Sequence, residues 1–194
     1  MNAVKTVLVT LLAGVLSIAI AVLGERWLGE EGPPRADRVA AGGLLDGLPP
    51  LQWTDVTGRP LASADWVGEP VILHFWATWC PVCREQLGVI AEARRRHRDA
   101  PLRVVGIAID RRADLERFLA ERPLDYPVVL GDPDAIVLAR RLGNHLEGLP
   151  FLVLFDRDGR RVFARLGPLA VEELDEQLGR LPAGDAAGAR RSAG

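Results

Sequence analysis

Two cysteines three positions apart, at the end of a largely apolar stretch, restrict this chain more than any other feature. The stretch Val71-Ile72-Leu73-His74-Phe75-Trp76-Ala77-Thr78-Trp79 runs directly into Cys80-Pro81-Val82-Cys83, and these are the only cysteines in 194 residues. Random placement would give this spacing about once in a hundred chains, so the pair is a signal. It reads as a redox dithiol reached by a strand and carried by the helix that follows.

The spacing has a geometric reason. With Cys80 as the N-cap and Pro81, Val82 and Cys83 in the first helical turn, the sulfurs fall within disulfide reach. Pro81 suits the first helical position, where its missing N–H costs nothing. The unpaired N–H groups of the helix start carry partial positive charge and stabilise a thiolate, lowering its pKa to the ~3.5–7.5 range. Cys80 is then the attacking sulfur, and Cys83, deeper in the turn, resolves the mixed disulfide.

Two metal readings compete. A structural zinc site normally takes four ligands, and beyond the pair the chain offers only His74, His97 and His145, none at zinc-finger spacing. A copper-binding or copper-delivery dithiol stays open, since Cu(I) is satisfied by thiolates at low coordination.

The segment Phe75-Trp76-Ala77-Thr78-Trp79-Cys80-Pro81-Val82-Cys83-Arg84 resembles the active-site segment of the TlpA-like thioredoxins. These are membrane-tethered periplasmic thiol–disulfide proteins of bacteria, with cytochrome c maturation and copper-sensitivity-suppressor branches. The resemblance extends more loosely over residues 49–180. Gly148-Leu149-Pro150, the strand Phe151–Phe155 and the turn Asp156-Arg157-Asp158-Gly159 resemble the family's cis-proline loop, next strand and hairpin. The resemblance implies that Pro150 is cis beside the dithiol and that the Leu149 backbone pairs with a partner chain. With Trp79 and Pro81 these residues would form the substrate-binding surface. The fold it implies is thioredoxin-like α/β.

The pattern of elements points the same way. Short strand-like pieces are expected at Leu51–Asp55, Arg59–Leu61 and through Trp66, then alternating strands and helices: Leu102–Ile109, Ala113–Glu121, Tyr126–Leu130 and Asp134–Leu142. Two strands flank Asp158-Gly159, a strong turn signal, and Val171, Leu174, Leu178 and Leu181 mark one face of a closing helix. Such alternation predicts a mixed central sheet with helices on both faces. A domain of roughly 130 residues, 49–182, is large enough for its own core.

Residues Val7 to Leu23 form a 17-residue apolar run interrupted only by Thr10 and Ser17, with Lys5 before it. That length just spans a bilayer, and the positive amino side predicts a cytoplasmic N-terminus with the rest exported. A cleaved signal peptide ending at Ala19-Ile20-Ala21 is the alternative; the run continues past that site, which favours an anchor over residues 1–24. No cysteine lies near the N-terminus, so a lipid-modified one is not expected. Residues 25–48, rich in Gly, Pro and charge, read as a flexible tether, and 183–194 as a disordered tail. The expected location is the bacterial inner membrane, single-pass, with the catalytic domain in the periplasm.

Net charge is −2, and no nucleic-acid motif is present. The run Arg94-Arg95-Arg96-His97-Arg98 falls at a helix C-terminus, where cations complement the dipole in water. His74, six before Cys80, occupies the position where thioredoxins have a buried Asp; it is either a catalytic base for Cys83 or a neutral core histidine. Gln86 stands where the family often has an acid, and neighbouring Glu85 is expected to face solvent. His145 is expected on the surface, with an approach to the site as the alternative. The function expected is a thiol–disulfide oxidoreductase without organic cofactor. It acts, as a reductant, on exported proteins carrying cysteines or disulfides and takes electrons from a membrane donor protein. A disulfide-donating oxidant and a copper module are the alternatives.

Overall fold

The computed structural model describes Leu45, Leu48, residues 50–66 and residues 68–181. The apolar run of residues 7–23, nearly all of the tether and the tail at 183–194 lie outside the described residues. Among the described residues no helix is long and apolar enough to cross a membrane.

The first elements among the described residues are a small hairpin, β1 (Gln52–Thr54) and β2 (Pro60–Ala62), followed by a 3₁₀ turn at Ser63–Trp66. The main sheet then alternates with helices: β3 (Val71–Trp76), α1 (Pro81–Arg96), β4 (Arg103–Ala108), α2 (Arg112–Glu121), β5 (Val128–Leu130) and α3 (Pro133–Arg141). It closes with β6 (Phe151–Phe155), β7 (Arg161–Leu166) and α4 (Val171–Gly179). The strand order is β5-β4-β3-β6-β7, with β3, β4 and β5 parallel and β6 and β7 antiparallel.

Every residue of β3 is buried, as its continuous apolar run requires of a strand with neighbours on both edges and helices on both faces. Alternation along the strand separates two cores. Ile72 and Trp76 pack with Cys83, Leu87 and Ile90 of α1, Leu115 of α2, and Leu174 and Leu178 of α4. Val71, Leu73 and Phe75 face the other way, against Leu138 and Ala139 of α3 and Trp66. Gly106 in β4 makes room for the first of these cores: a Cβ there would meet Trp76 Nε1 at 3.1 Å and the Tyr126 ring at 3.3 Å.

The sequence expectations need two corrections. The segment through Trp66 is not a strand but a 3₁₀ turn, closed by Ser63, whose N–H donates to Leu51 O and whose Oγ accepts from Leu51 N, both at 2.9 Å. The packed core also reaches back to Leu45 and Leu48, expected in the tether but only 4% and 8% exposed. Their apolar side chains join Phe75 and Phe155, which a free tether would not do.

The basic run at the end of α1 is largely paired. Glu92 takes hydrogen bonds from Arg95 and Arg96, Arg96 also reaches Asp175, and His97 Nε2 lies 3.2 Å from Asp175 Oδ1. These contacts tie the end of α1 to α4. Arg94 pairs with Asp125 and lies 5.7 Å over the Tyr126 ring.

Candidate active site

The end of β3 and the start of α1 place the two cysteines. Cys80 is extended (φ −93°, ψ 108°) and caps α1, its Sγ accepting from Cys83 N at 3.1 Å, with Pro81 in the first turn. Cys80 and Cys83 are joined as a disulfide, their Cα atoms 5.2 Å apart. Cys83 is fully buried and Cys80 is 8% exposed, so of the pair only Cys80 reaches the surface.

The loop before Cys80 is held by the end of β4. Asp110 accepts from Thr78 N at 2.7 Å and from Arg111 N at 2.9 Å, and Trp79 Nε1 donates to Ile109 O at 3.3 Å. The Trp79 ring stays two-thirds exposed beside the dithiol. Opposite it, the Leu149–Pro150 peptide is cis. Pro150 is buried, and its C=O accepts from Gly167 N at 2.8 Å. The backbone N–H and C=O of Leu149 have no hydrogen-bond partner among the described residues. A groove of about 300 Å³ runs between these walls, lined by Phe75, Trp79, Cys80, Ile109, Ile136 and Leu149. Asn144 and Glu147 edge it.

His74 lies on the α1 face of β3, fully buried, its ring roughly parallel to that of Trp76 at 6.4 Å. Neither ring nitrogen has a hydrogen-bond partner. Burial pushes its pKa down to about 3. It is therefore neutral at physiological pH, and as a base it falls about five units short of an ordinary thiol. That favours the core reading over the catalytic one.

The remaining candidates separate clearly. Glu85 faces solvent. Gln86 is 3% exposed, and its Oε1 accepts from Leu169 N at 2.9 Å, fastening α1 to the loop before α4. An acid at this position would have to give up its charge or leave that bond. His145 is exposed and does not line the groove. Among the described residues no group of three or more His, Cys, Asp or Glu gathers to hold a metal ion. Asp110, Asn144 and Gln86 carry structural duties at the site that no motif announced.

The arrangement can exchange electrons between one open sulfur and a partner's sulfur, with a second sulfur waiting behind it. The chain is 30% identical over 173 residues to the soluble secreted antigen MPT53 of Mycobacterium tuberculosis, covering 88% of this chain and 90% of that one. It is 25% identical over 126 residues to the thiol-disulfide oxidoreductase ResA of Bacillus cereus, covering 64% of this chain and 70% of ResA. A thioredoxin-family thiol:disulfide interchange protein of Chlorobium tepidum has a like fold, with a TM-score of 0.60 at 23% identity over 70% of this chain and 95% of that one. The AhpC/TSA family profile matches residues 45–162, more than half of the chain. On fold and sequence together the chain belongs to the thioredoxin-like AhpC/TSA family, as a thiol–disulfide oxidoreductase.

Proposed function

We propose that the protein is an exported, membrane-anchored reductant of disulfides in other exported proteins. The observation that carries this reading is the unequal access of the two sulfurs: Cys80 at a helix start on a groove, Cys83 sealed beneath it. In the reduced form the Cys80 thiolate attacks one sulfur of a client disulfide, and the other client sulfur leaves as a thiolate and takes a proton. Cys83 then loses its proton and attacks Cys80 Sγ, releasing the second client thiolate. Two electrons have passed to the client and the Cys80–Cys83 disulfide remains. A membrane electron-donor protein returns the two electrons.

Trp79, Pro81, Leu149 and Pro150 form the client surface in this reading. The free Leu149 backbone pairs with an extended client strand while the groove takes the side chains beside its cysteine. His74 serves as a neutral core residue. Residues 1–24 anchor the chain, residues 25–48 are the tether up to the packed Leu45 and Leu48, and residues 49–182 form the domain in the periplasm of a bacterium. A relative described as a soluble secreted antigen supports export. Clients are cysteine-bearing exported proteins; cytochrome c maturation is the setting that the TlpA-like resemblance implies. No organic cofactor enters the exchange.

The direction of flow rests on the tether, which raises the effective concentration of a membrane donor, and on the TlpA-like resemblance. The test is the reduction potential together with the thiol state trapped by alkylation in intact cell envelopes. A potential near thioredoxin's, about −270 mV, and a reduced pair in cells are expected. A mostly oxidised pair with a potential near that of the oxidant DsbA, about −120 mV, would make the protein a disulfide donor. Stoichiometric, tight Cu(I) binding by the purified protein would replace both with the copper reading.

A further inference from the structure

The free backbone of Leu149 is useful to a client only if it is held still relative to Cys80. Yet residues 143–149 belong to no helix or strand. One side chain supplies the missing order. The Asn144 Nδ2 donates to Gly148 O at 2.9 Å, and its Oδ1 accepts from Gly148 N at 3.1 Å. Both backbone groups of Gly148 are thus consumed as a neighbouring β-strand would consume them, and the next free pair along the chain is that of Leu149.

Asn144 is itself anchored and only 2% exposed. Its N–H donates to Ala139 O of α3 at 2.9 Å, while Arg161 of β7 donates to Leu142 O at 2.7 Å. Gly148 is pressed against β7, where a Cβ would come within 3.0 Å of Leu166 Cδ1. Between the two bracketed positions Glu147 adopts φ +53°, a left-handed conformation disfavoured for a residue with a Cβ. Its side chain pairs with Arg140. The Asn144 amide supplies both the donor and the acceptor: Asp lacks the donor, Leu lacks both, and Gln is one methylene longer.

We infer that Asn144 is a positioning residue for client recognition, a bracket that presents the Leu149 N–H and C=O to an extended peptide beside Cys80. This rests on the thiol–disulfide reading and deepens it. Binding of a peptide strand depends on the bracket; exchange at the sulfurs does not.

The test uses the full-length chain, wild type and the variants Asn144→Leu and Asn144→Asp, with dithiothreitol as the electron source, its uncatalysed rate subtracted, and two disulfides as substrates. One is a short linear peptide carrying a mixed disulfide at its single cysteine; the other is bis(2-hydroxyethyl) disulfide, too small to pair with Leu149. Asn144→Leu is expected to raise KM for the peptide about tenfold with kcat within about twofold, the loss of one to two backbone hydrogen bonds. Its rate with the small disulfide should stay within about twofold of wild type. Asn144→Asp, which keeps the acceptor for Gly148 N, should fall between the two and provides the measurement if the leucine variant does not fold. Equal losses on both disulfides, or no loss on either, would overturn the bracket while leaving the redox reading in place. A wild-type protein inert toward both disulfides would overturn the redox reading, and the bracket with it.

Discussion

Cys80 and Cys83 are three residues apart, and only Cys80 lines the groove, which assigns them different work. Cys83→Ser should accumulate mixed disulfides with clients through Cys80, and Cys80→Ser should trap little, as read on non-reducing gels. Equal trapping would dissolve the division of labour. His74 makes a separate, thermodynamic prediction. Its pKa is about 3 in the fold against 6.5 as the ordinary value, so between these limits the unfolded chain binds a proton that the folded chain refuses. Stability should therefore fall as pH drops through that window, by at most about 1.4 kcal/mol per pH unit from this group. Urea midpoints of wild type and His74→Leu across acidic pH check it; parallel curves would deny His74 the effect. His74→Asn, if folded, should leave exchange rates unchanged from neutral to alkaline pH. At this scale the cysteine pairing was legible because the spacing itself sets the geometry, and the cis Leu149–Pro150 peptide was legible through a family resemblance. Asp110 and Asn144 were not, because each acts on a backbone group that sequence gives no reason to single out. Asp110 reaches Thr78 across 32 positions, and Asn144 reaches a glycine in an irregular loop.

Elements were legible where periodicity had room to show. The six residues of β3, the six of β4 and the spacing of Leu174 and Leu178 in α4 carry unambiguous patterns. The four residues of Ser63–Trp66 are too few to show a period, and their turn is decided by a hydrogen-bonded pairing with Leu51. The β1–β2 hairpin depends on one carboxylate. Burial pushes the Asp55 carboxyl up, but bonds from the Thr57 hydroxyl and from the N–H groups of Thr57 and Arg59, together with the Arg59 guanidinium, outweigh it and hold its pKa below the ordinary value. The adjacent Val56 N–H donates to Val128 O at 2.8 Å, so this turn also covers the edge strand β5. A depressed pKa contributes stability above the unfolded value that is lost as pH falls through the folded one. Asp55→Ala should cost about 2 kcal/mol near neutral pH, mostly from donors left unpaired. Amide exchange at Val56 and Thr57 should accelerate with it. Protection equal to wild type would show that the hairpin holds without the carboxylate.

For the whole molecule, the sheet order places the start of α1, the end of β4 and the loop before β6 around one sulfur. Topology in the cell is the matching prediction: the chain should sediment with membranes, with the domain accessible only from the periplasmic side. A mature form beginning at Val22 in the soluble periplasmic fraction would turn the anchor into a cleaved signal. Alternating elements made the architecture readable, whereas the reach of the core back to Leu45 was hidden because two leucines in a Gly-rich stretch carry no period. The exposure of Trp79 has a further, optical consequence. Trp66 and Trp76 are sealed in apolar cores, whereas the Trp79 indole is wet and lies beside a disulfide, a group that quenches indole emission. With Trp27 and Trp53 replaced by Phe, red-edge fluorescence should therefore brighten on reduction and shift to the blue when a client covers the ring, reporting redox state and occupancy as two separable signals from one side chain.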